Sequence, residues 1–163
     1  GKVPNYPKQG ILFYDISPMI FNENAFSSSV KLLCNQIKNY EFEYIAAIDA
    51  RGFIFGSAMA LKLNLGLTMI RKKNKLPGNT ISIDYDLEYG NDTLELNIDA
   101  KNKKFLLIDD LLATGGTASA AENLIKKAGG TVTCFGAVIE LLFLKGRNKL
   151  NTPVETLIKY KND

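Results

Sequence analysis

Four unbroken apolar residues, Phe105-Leu-Leu-Ile108, stand between a lysine-rich approach and two consecutive aspartates, and this short run constrains the chain more than any other. A run without polar alternation leaves no wet face, so it suits a strand covered on both sides within a parallel sheet. It continues as Asp109-Asp110-Leu111-Leu112-Ala113-Thr114-Gly115-Gly116-Thr117, after which Ala121, Leu124, Ile125 and Ala128 recur at i, i+3, i+4 and i+7 before Gly129-Gly130. That spacing predicts a helix from near Thr117 to a glycine C-cap. Strand, glycine-bearing loop and helix in succession form the opening half of a parallel crossover unit.

The remaining chain follows the same alternation. Phe26, Val30, Leu33 and Ile37 mark an amphipathic helix over residues 24–39, with Asn22 or Asn24 as its N-cap. Tyr44-Ile-Ala-Ala-Ile-Asp49 reads as a strand, and Phe53-Ile-Phe-Gly-Ser-Ala-Met-Ala-Leu61, apolar on every side, as a buried helix. Leu67-Thr-Met-Ile70 gives the next strand, running into the charged loop Arg71-Lys-Lys-Asn-Lys75 that closes at Pro77-Gly78. Residues 80–98 alternate, predicting a two-stranded excursion with one wet face and a turn at Gly90-Asn91. Residues 132–142 and 154–160 supply further strands. The expected fold is α/β, a mostly parallel twisted sheet flanked by helices, in one domain over residues 1–163.

Composition narrows the chemistry. Hydrophobic residues at 46% and charged residues at 23% suit an ordinary globular core. Lys and Arg number 20 against 17 Asp and Glu, so the basic excess of a nucleic-acid binder is missing and no nucleic-acid partner is expected. The chain has no histidine, which removes the usual neutral-pH base, the commonest transition-metal ligand and the Ser-His-Asp triad together. Cys34 and Cys134 lie in unrelated apolar contexts without CxxC spacing and read as reduced core residues. No apolar stretch approaches the roughly 18 residues of a bilayer span. The N-terminus carries no apolar signal region, so a cytoplasmic location without membrane association is expected.

In an open α/β sheet, ligands bind beyond the carboxyl ends of the strands. At that position, Ala113 to Thr117 would offer glycines for close backbone approach, threonine hydroxyls and the amides of a helix N-terminus, a combination suited to phosphate. Asp109 and Asp110 would repel a phosphate they faced, so they should face hydrogen-bond donors or positive charge; sugar hydroxyls and a Mg²⁺-bound ligand meet both demands. Neither GxxxxGK[ST] nor GxGxxG occurs, which argues against a P-loop nucleoside triphosphatase or a dinucleotide-binding site.

The run Phe105-Leu-Leu-Ile-Asp-Asp-Leu-Leu-Ala-Thr-Gly-Gly-Thr117 resembles the phosphoribosyl-pyrophosphate (PRPP) motif of the type I phosphoribosyltransferases, in the form typical of the adenine-specific members. Tyr6-Pro-Lys-Gln-Gly-Ile-Leu-Phe-Tyr-Asp-Ile-Ser-Pro18 is similar to the family's purine-side segment, and Asp49-Ala-Arg-Gly-Phe-Ile-Phe-Gly56 to its pyrophosphate loop. Arg71-Lys-Lys-Asn-Lys-Leu-Pro-Gly78 and Leu87-Glu-Tyr-Gly90 resemble its flexible catalytic loop, and Glu140-Leu with Leu144-Lys-Gly-Arg147 its C-terminal part. The lead-in is short for the family, so N-terminal residues are expected to be missing.

The resemblance implies a small purine-side hood, formed with residues 1–20, and a flexible β-excursion loop beside the sheet. It implies transfer of the phosphoribosyl group of PRPP to adenine, giving AMP and pyrophosphate, with Mg²⁺ held mainly through PRPP and water and in part by Asp109 and Asp110. Ala113, Thr114, Gly115, Gly116 and Thr117 would cradle the 5′-phosphate, while Asp109 and Asp110 hold the ribose hydroxyls. Arg51, with a cis peptide joining Asp49 to Ala50, would bind pyrophosphate, assisted by Arg71, Lys72 and Lys75. Glu88 would manage the purine proton and Tyr89 would close over the site. Phe13 and Leu111 would sandwich adenine, read by the backbone of Leu12 and Tyr14; Arg is common in the family at the position of Tyr14, a change that bears on loop packing. A homodimer is implied as well. Two other readings fit the residues: a regulator that binds PRPP without turning it over, and a transferase for another purine base.

Overall fold

The computed structural model describes residues 1–6, 8–87 and 90–162. A hood comes first: β1 (Lys2–Pro4) pairs antiparallel with β2 (Leu12–Tyr14), followed by the short helix α1 (Ser17–Phe21). Helix α2 (Glu23–Gln36) begins where the Asn22 side chain accepts a hydrogen bond from the Ala25 amide, and it turns Val30, Leu33 and Cys34 inward.

The sheet is then laid down as β3 (Tyr44–Ile48), α3 (Gly52–Leu63), β4 (Gly66–Lys72), the hairpin β5 (Ile81–Leu87) and β6 (Gly90–Leu96), β7 (Lys104–Leu112), α4 (Gly116–Lys127), β8 (Thr131–Leu141) and β9 (Val154–Tyr160). Strand order is β5-β6-β4-β3-β7-β8-β9. From β4 to β9 all neighbours are parallel, whereas the hairpin joins β4 antiparallel. The strand built on Phe105-Leu-Leu-Ile108 is the middle of the five parallel strands, and those four residues are at most 1% exposed.

Alternation along each strand feeds two cores. On one face Ala46, Ile48, Leu107 and Phe135 pack under α4; on the other Ile45, Leu106 and Ile108 pack with Phe55 and Met59 of α3 and Leu33 of α2. Burying each of these side chains other than that of Ala46 contributes about 1.5–3 kcal/mol. Two expectations need correction. Gly90 and Asn91 do not form the hairpin turn; they are the first residues of β6, opposite Leu87 and Asp86. Helix α3 is not buried all round, since Leu61 is 85% exposed and Ile54 is 36% exposed. Its composition is apolar on every side because a second apolar face points away from the sheet.

This topology places the functional loops together. From β3 the chain crosses by α3 to β4 on one side; from β7, paired with β3 on the other side, it crosses by α4 on the opposite face to β8. The β3–β7 boundary is therefore the point where the winding reverses, the position at which open α/β sheets form a ligand crevice.

Candidate active site

The loops after β3 and β7 meet at that reversal. Gly52, at the start of α3, packs so tightly on β7 that an added Cβ would fall 2.8 Å from the Ile108 carbonyl oxygen and 3.2 Å from the Asp109 Oδ1. The peptide joining Asp49 to Ala50 is cis, as expected. The Asp49 carboxylate accepts hydrogen bonds from Arg71 Nε at 3.1 Å and from the Lys72 amide at 3.4 Å, so the end of β4 is tied to this loop. Arg71 also lies 5.8 Å from the Phe53 ring.

Residues 113–117 form a concave loop at the N-terminus of α4, lining a cavity of about 190 Å³ with Asp109, Leu111 and Leu112. Gly115 caps α4 in the left-handed region at φ +80°, a conformation costly to any residue with a Cβ. Its backbone is pressed against residue 146: a Cβ on Gly115 would sit 2.3 Å from the Gly146 carbonyl oxygen, and one on Gly146 would sit 2.1 Å from that of Ala113. A Cβ on Gly116 would be in ordinary contact with the Asp86 carbonyl oxygen, at 3.5 Å. The Thr117 hydroxyl lies 3.5 Å from that of Tyr85.

A second cavity of about 490 Å³ adjoins the first and shares Leu111, Ala113 and Thr114 with it. Leu12, Phe13, Tyr14 and Leu111, the residues expected to hold a base, all line it. Arg51 enters the same cavity. Its Nε is 3.1 Å from Asp110 Oδ2, its Nη1 donates to the Tyr14 carbonyl at 3.3 Å, and its guanidinium lies 5.0 Å from the Phe13 ring. Arg51 thus reaches both the wall of this cavity and the Asp110 carboxylate, from the loop that follows β3.

Asp109 and Asp110 lie side by side, and the Asp110 amide donates to Asp109 Oδ1 at 2.8 Å. Burial pushes the Asp109 carboxyl well above the ordinary carboxylate range, and the adjacent Asp110 charge pushes it further. Burial also raises Asp110, with Arg51 pulling against it. Asp110 Oδ2 is buried and accepts no hydrogen bond among the described residues, despite its ion pair with Arg51. Two desolvated carboxylates with spare acceptor capacity are suited to hydroxyl donors or a cation.

The hairpin overhangs this crevice. Lys72 Nζ donates to the Tyr85 hydroxyl at 2.8 Å and pairs with the Asp92 carboxylate. Burial opposes its charge, but these hydrogen bonds prevail and raise its pKa. Lys75 is exposed, and its carbonyl accepts from Arg71 Nη1 at 3.3 Å. Glu88 and Tyr89 lie outside the described residues; Leu87, just before them, lines the larger cavity.

The residues to which the sequence analysis gave no role in the site come from far along the chain. Leu141, Phe143 and Leu144 form a wall of the larger cavity, and Gly146 backs the 113–117 loop. Tyr160 packs against Tyr14 with ring centroids 4.8 Å apart and the planes tilted by 53°, and Lys2 Nζ lies 5.4 Å from the Tyr14 ring and 5.1 Å from the Tyr160 ring. Tyr14, only 3% exposed, thereby anchors the hood to β9 through its side chain and leaves its carbonyl facing Arg51. The Gly146 contact had a signal in the Leu144-Lys-Gly-Arg147 match; Tyr160 had none.

Comparison with known proteins gives a consistent set. Residues 20–154 match the phosphoribosyl transferase domain family. The chain is 52% identical over 163 residues to an adenine phosphoribosyltransferase of Prochlorococcus marinus (strain NATL1A), covering 98% of this chain and 95% of that one. It superposes with a TM-score of 0.95 on adenine phosphoribosyltransferase from Thermoanaerobacter pseudethanolicus, at 42% identity and with 98% and 95% of the two chains covered. The enzyme from Saccharomyces cerevisiae, complexed with an imino-altritol bisphosphate and adenine, gives a TM-score of 0.88 at 39% identity, covering 96% and 93%.

Proposed function

The chain belongs to the phosphoribosyl transferase family and, within it, to the adenine phosphoribosyltransferases, and on that premise we infer that it transfers the 5-phosphoribosyl group of PRPP to adenine, giving AMP and pyrophosphate. One observation supports this above the rest: a base-sized cavity of about 490 Å³ lies beside a phosphate-sized cradle, the two sharing Leu111, Ala113 and Thr114 in their walls. A purine in the first and a 5′-phosphate in the second would set the ribose between them, over Asp109 and Asp110.

The reaction is a displacement at the anomeric carbon through an oxocarbenium-like state, so alignment and charge stabilisation supply the rate. Amides and hydroxyls of residues 113–117 hold the 5′-phosphate, and Asp109 and Asp110 accept from the ribose hydroxyls. Phe13 and Leu111 sandwich the adenine ring, while the backbone of Leu12 and Tyr14 reads its amine edge. Arg51 joins base and sugar by bridging the Tyr14 carbonyl and the Asp110 carboxylate. Pyrophosphate leaves toward the 49–52 loop and Arg51, with Arg71, Lys72 and Lys75 at the end of β4 and just beyond it. Glu88 accepts the proton that the purine loses as its nitrogen bonds to carbon, and Tyr89 shields the reacting centre.

Mg²⁺ fits this site as an ion carried largely by its substrate. Among the described residues no cluster of three acidic, histidine or cysteine side chains forms a cage, yet Asp110 Oδ2 retains acceptor capacity beside Asp109. The ion would neutralise charge on the departing pyrophosphate. The exposed apolar residues Ile54 and Leu61 of α3, with Leu67 and Met69 of β4, support a homodimer built on that face. No described helix is long and apolar enough to cross a membrane, and a cytoplasmic site of action accords with a phosphorylated, highly charged substrate such as PRPP.

The test is AMP formation from adenine, PRPP and Mg²⁺, with hypoxanthine and guanine in parallel and a chelator control. Adenine-selective, chelator-sensitive turnover is expected. Faster turnover of a 6-oxopurine would overturn the base assignment, and PRPP binding without turnover would identify a regulator.

A further inference from the structure

Glu140, on β8, is 1% exposed and uses both carboxylate oxygens. Oε1 accepts from Arg147 Nε at 2.6 Å; Oε2 accepts from Arg147 Nη2 at 2.6 Å and from the Thr156 hydroxyl of β9 at 2.7 Å. Burial works to raise the Glu140 pKa, but the Arg147 and Thr156 hydrogen bonds hold it below the ordinary value, so the pair stays ionised. A two-pronged, charge-assisted pair of this kind fixes orientation as well as distance. What it fixes is the 142–149 segment, which leaves β8 through two 3-10 turns and reverses at Lys145, φ +54°.

That segment touches the site next to Arg147. The Gly146 backbone is packed so closely on the 113–115 backbone that neither Gly115 nor Gly146 has room for a Cβ. Arg147 therefore holds a backbone wedge behind the loop that faces the 5′-phosphate, and Glu140 anchors it to the sheet beside Leu112, its register partner on β7. Arg147, Glu140 and Thr156 line neither cavity.

We propose that Arg147, clamped by Glu140 and Thr156, is a positioning residue for the 5′-phosphate: through Gly146 it holds the Ala113–Gly115 backbone in the curvature that aims its amides at the phosphate. The proposal rests on the PRPP reading of the site. Removing the clamp frees the wedge, and the loop must then be ordered by the ligand at a cost in affinity rather than in the chemical step.

The experiment measures KM for PRPP, kcat, ribose 5-phosphate binding by calorimetry and the thermal midpoint for Arg147→Ala, Arg147→Lys and Glu140→Gln. Arg147→Ala should raise the KM for PRPP and weaken ribose 5-phosphate binding on the order of 10-fold, with kcat within about threefold. Arg147→Lys should fall between it and wild type, because an ammonium cannot span both carboxylate oxygens. Should Arg147→Ala fail to fold, Glu140→Gln carries the test, since the amide keeps the size and loses one acceptor; a rise of about threefold or more in both readouts is expected. A folded variant with lowered thermal midpoint but PRPP KM and ribose 5-phosphate affinity within twofold of wild type would overturn the proposal, leaving the pair a stabilising contact only. Ribose 5-phosphate binding reads the clamp without turnover, so an inactive wild type that still binds it would count against the transfer reading alone.

Discussion

Replacing Gly115 with alanine strikes the phosphate cradle at its tightest point. At φ +80° the new side chain is in the left-handed region, which costs about 1–2 kcal/mol. Its Cβ would also sit 2.3 Å from the Gly146 carbonyl oxygen, against 3.4 Å for ordinary contact, so the loop or the wedge must give way by about 1 Å. For a chain of this size the strain lowers the thermal midpoint by roughly 2–8 °C. Displacement of the amides by that distance lowers kcat/KM for PRPP on the order of 100-fold. Gly116→Ala is the control for direction. It has no positive φ and no neighbour inside 3.5 Å, so stability should hold while the methyl occupies the phosphate's space and raises the KM for PRPP. Steady-state kinetics beside a thermal melt separates the two effects. If both variants keep the KM for PRPP within twofold of wild type, residues 113–117 do not hold the phosphate and the reasoning fails.

Glu88→Ala should lower kcat by about 10²- to 10⁴-fold with little change in the KM for PRPP, and a rate within a few-fold of wild type would remove Glu88 from the chemistry. Asp109→Asn should inactivate the enzyme yet raise its unliganded thermal midpoint at neutral pH. A carboxyl whose folded pKa is raised by burial and by Asp110 binds more protons folded than unfolded, so stability falls as pH rises from the ordinary 3.8 through the folded value. The gain of the Asn variant over wild type should therefore shrink as pH is lowered toward that ordinary value, and a gain independent of pH would refute the cause. Leu61→Glu should halve the solution mass measured by light scattering, since Leu61 is 85% exposed on the apolar face of α3; a wild type already monomeric would contradict that interface.

How much of this was legible in the sequence depends on how local each signal is. The β7–loop–α4 unit could be read outright, because an unbroken apolar run, two aspartates, two glycines and a helical repeat are consecutive along the chain. The 80–98 hairpin was legible as alternation, but its turn was misplaced: Gly90 and Asn91 have turn chemistry, yet pair as the start of β6. Helix α3 shows the limit of composition, since Leu61 is as apolar as Phe55 and only the packing tells which of them faces the sheet.

The site divides in the same way. Phe13, Leu111 and Thr114 lie within the recognisable runs and do converge on the paired cavities. The aim of Arg51 depends on Asp110, Tyr14 and Phe13, residues 37 or more positions away, and no pattern around Asp49-Ala-Arg-Gly52 encodes it. Tyr160 and Gly146 are likewise defined by what the fold sets opposite them, the first by the Tyr14 ring and the second by the 113–115 backbone.

Two adjoining cavities at the β3–β7 reversal should hold a purine and a 5′-phosphate at the same time. A crystal structure with AMP bound tests it most directly. The phosphate should lie within hydrogen-bond distance of the 113–117 amides, the ribose over Asp109 and Asp110, and the adenine ring between Phe13 and Leu111. AMP bound with its phosphate away from that loop, or with its base outside the cavity lined by Phe13 and Arg51, would contradict it.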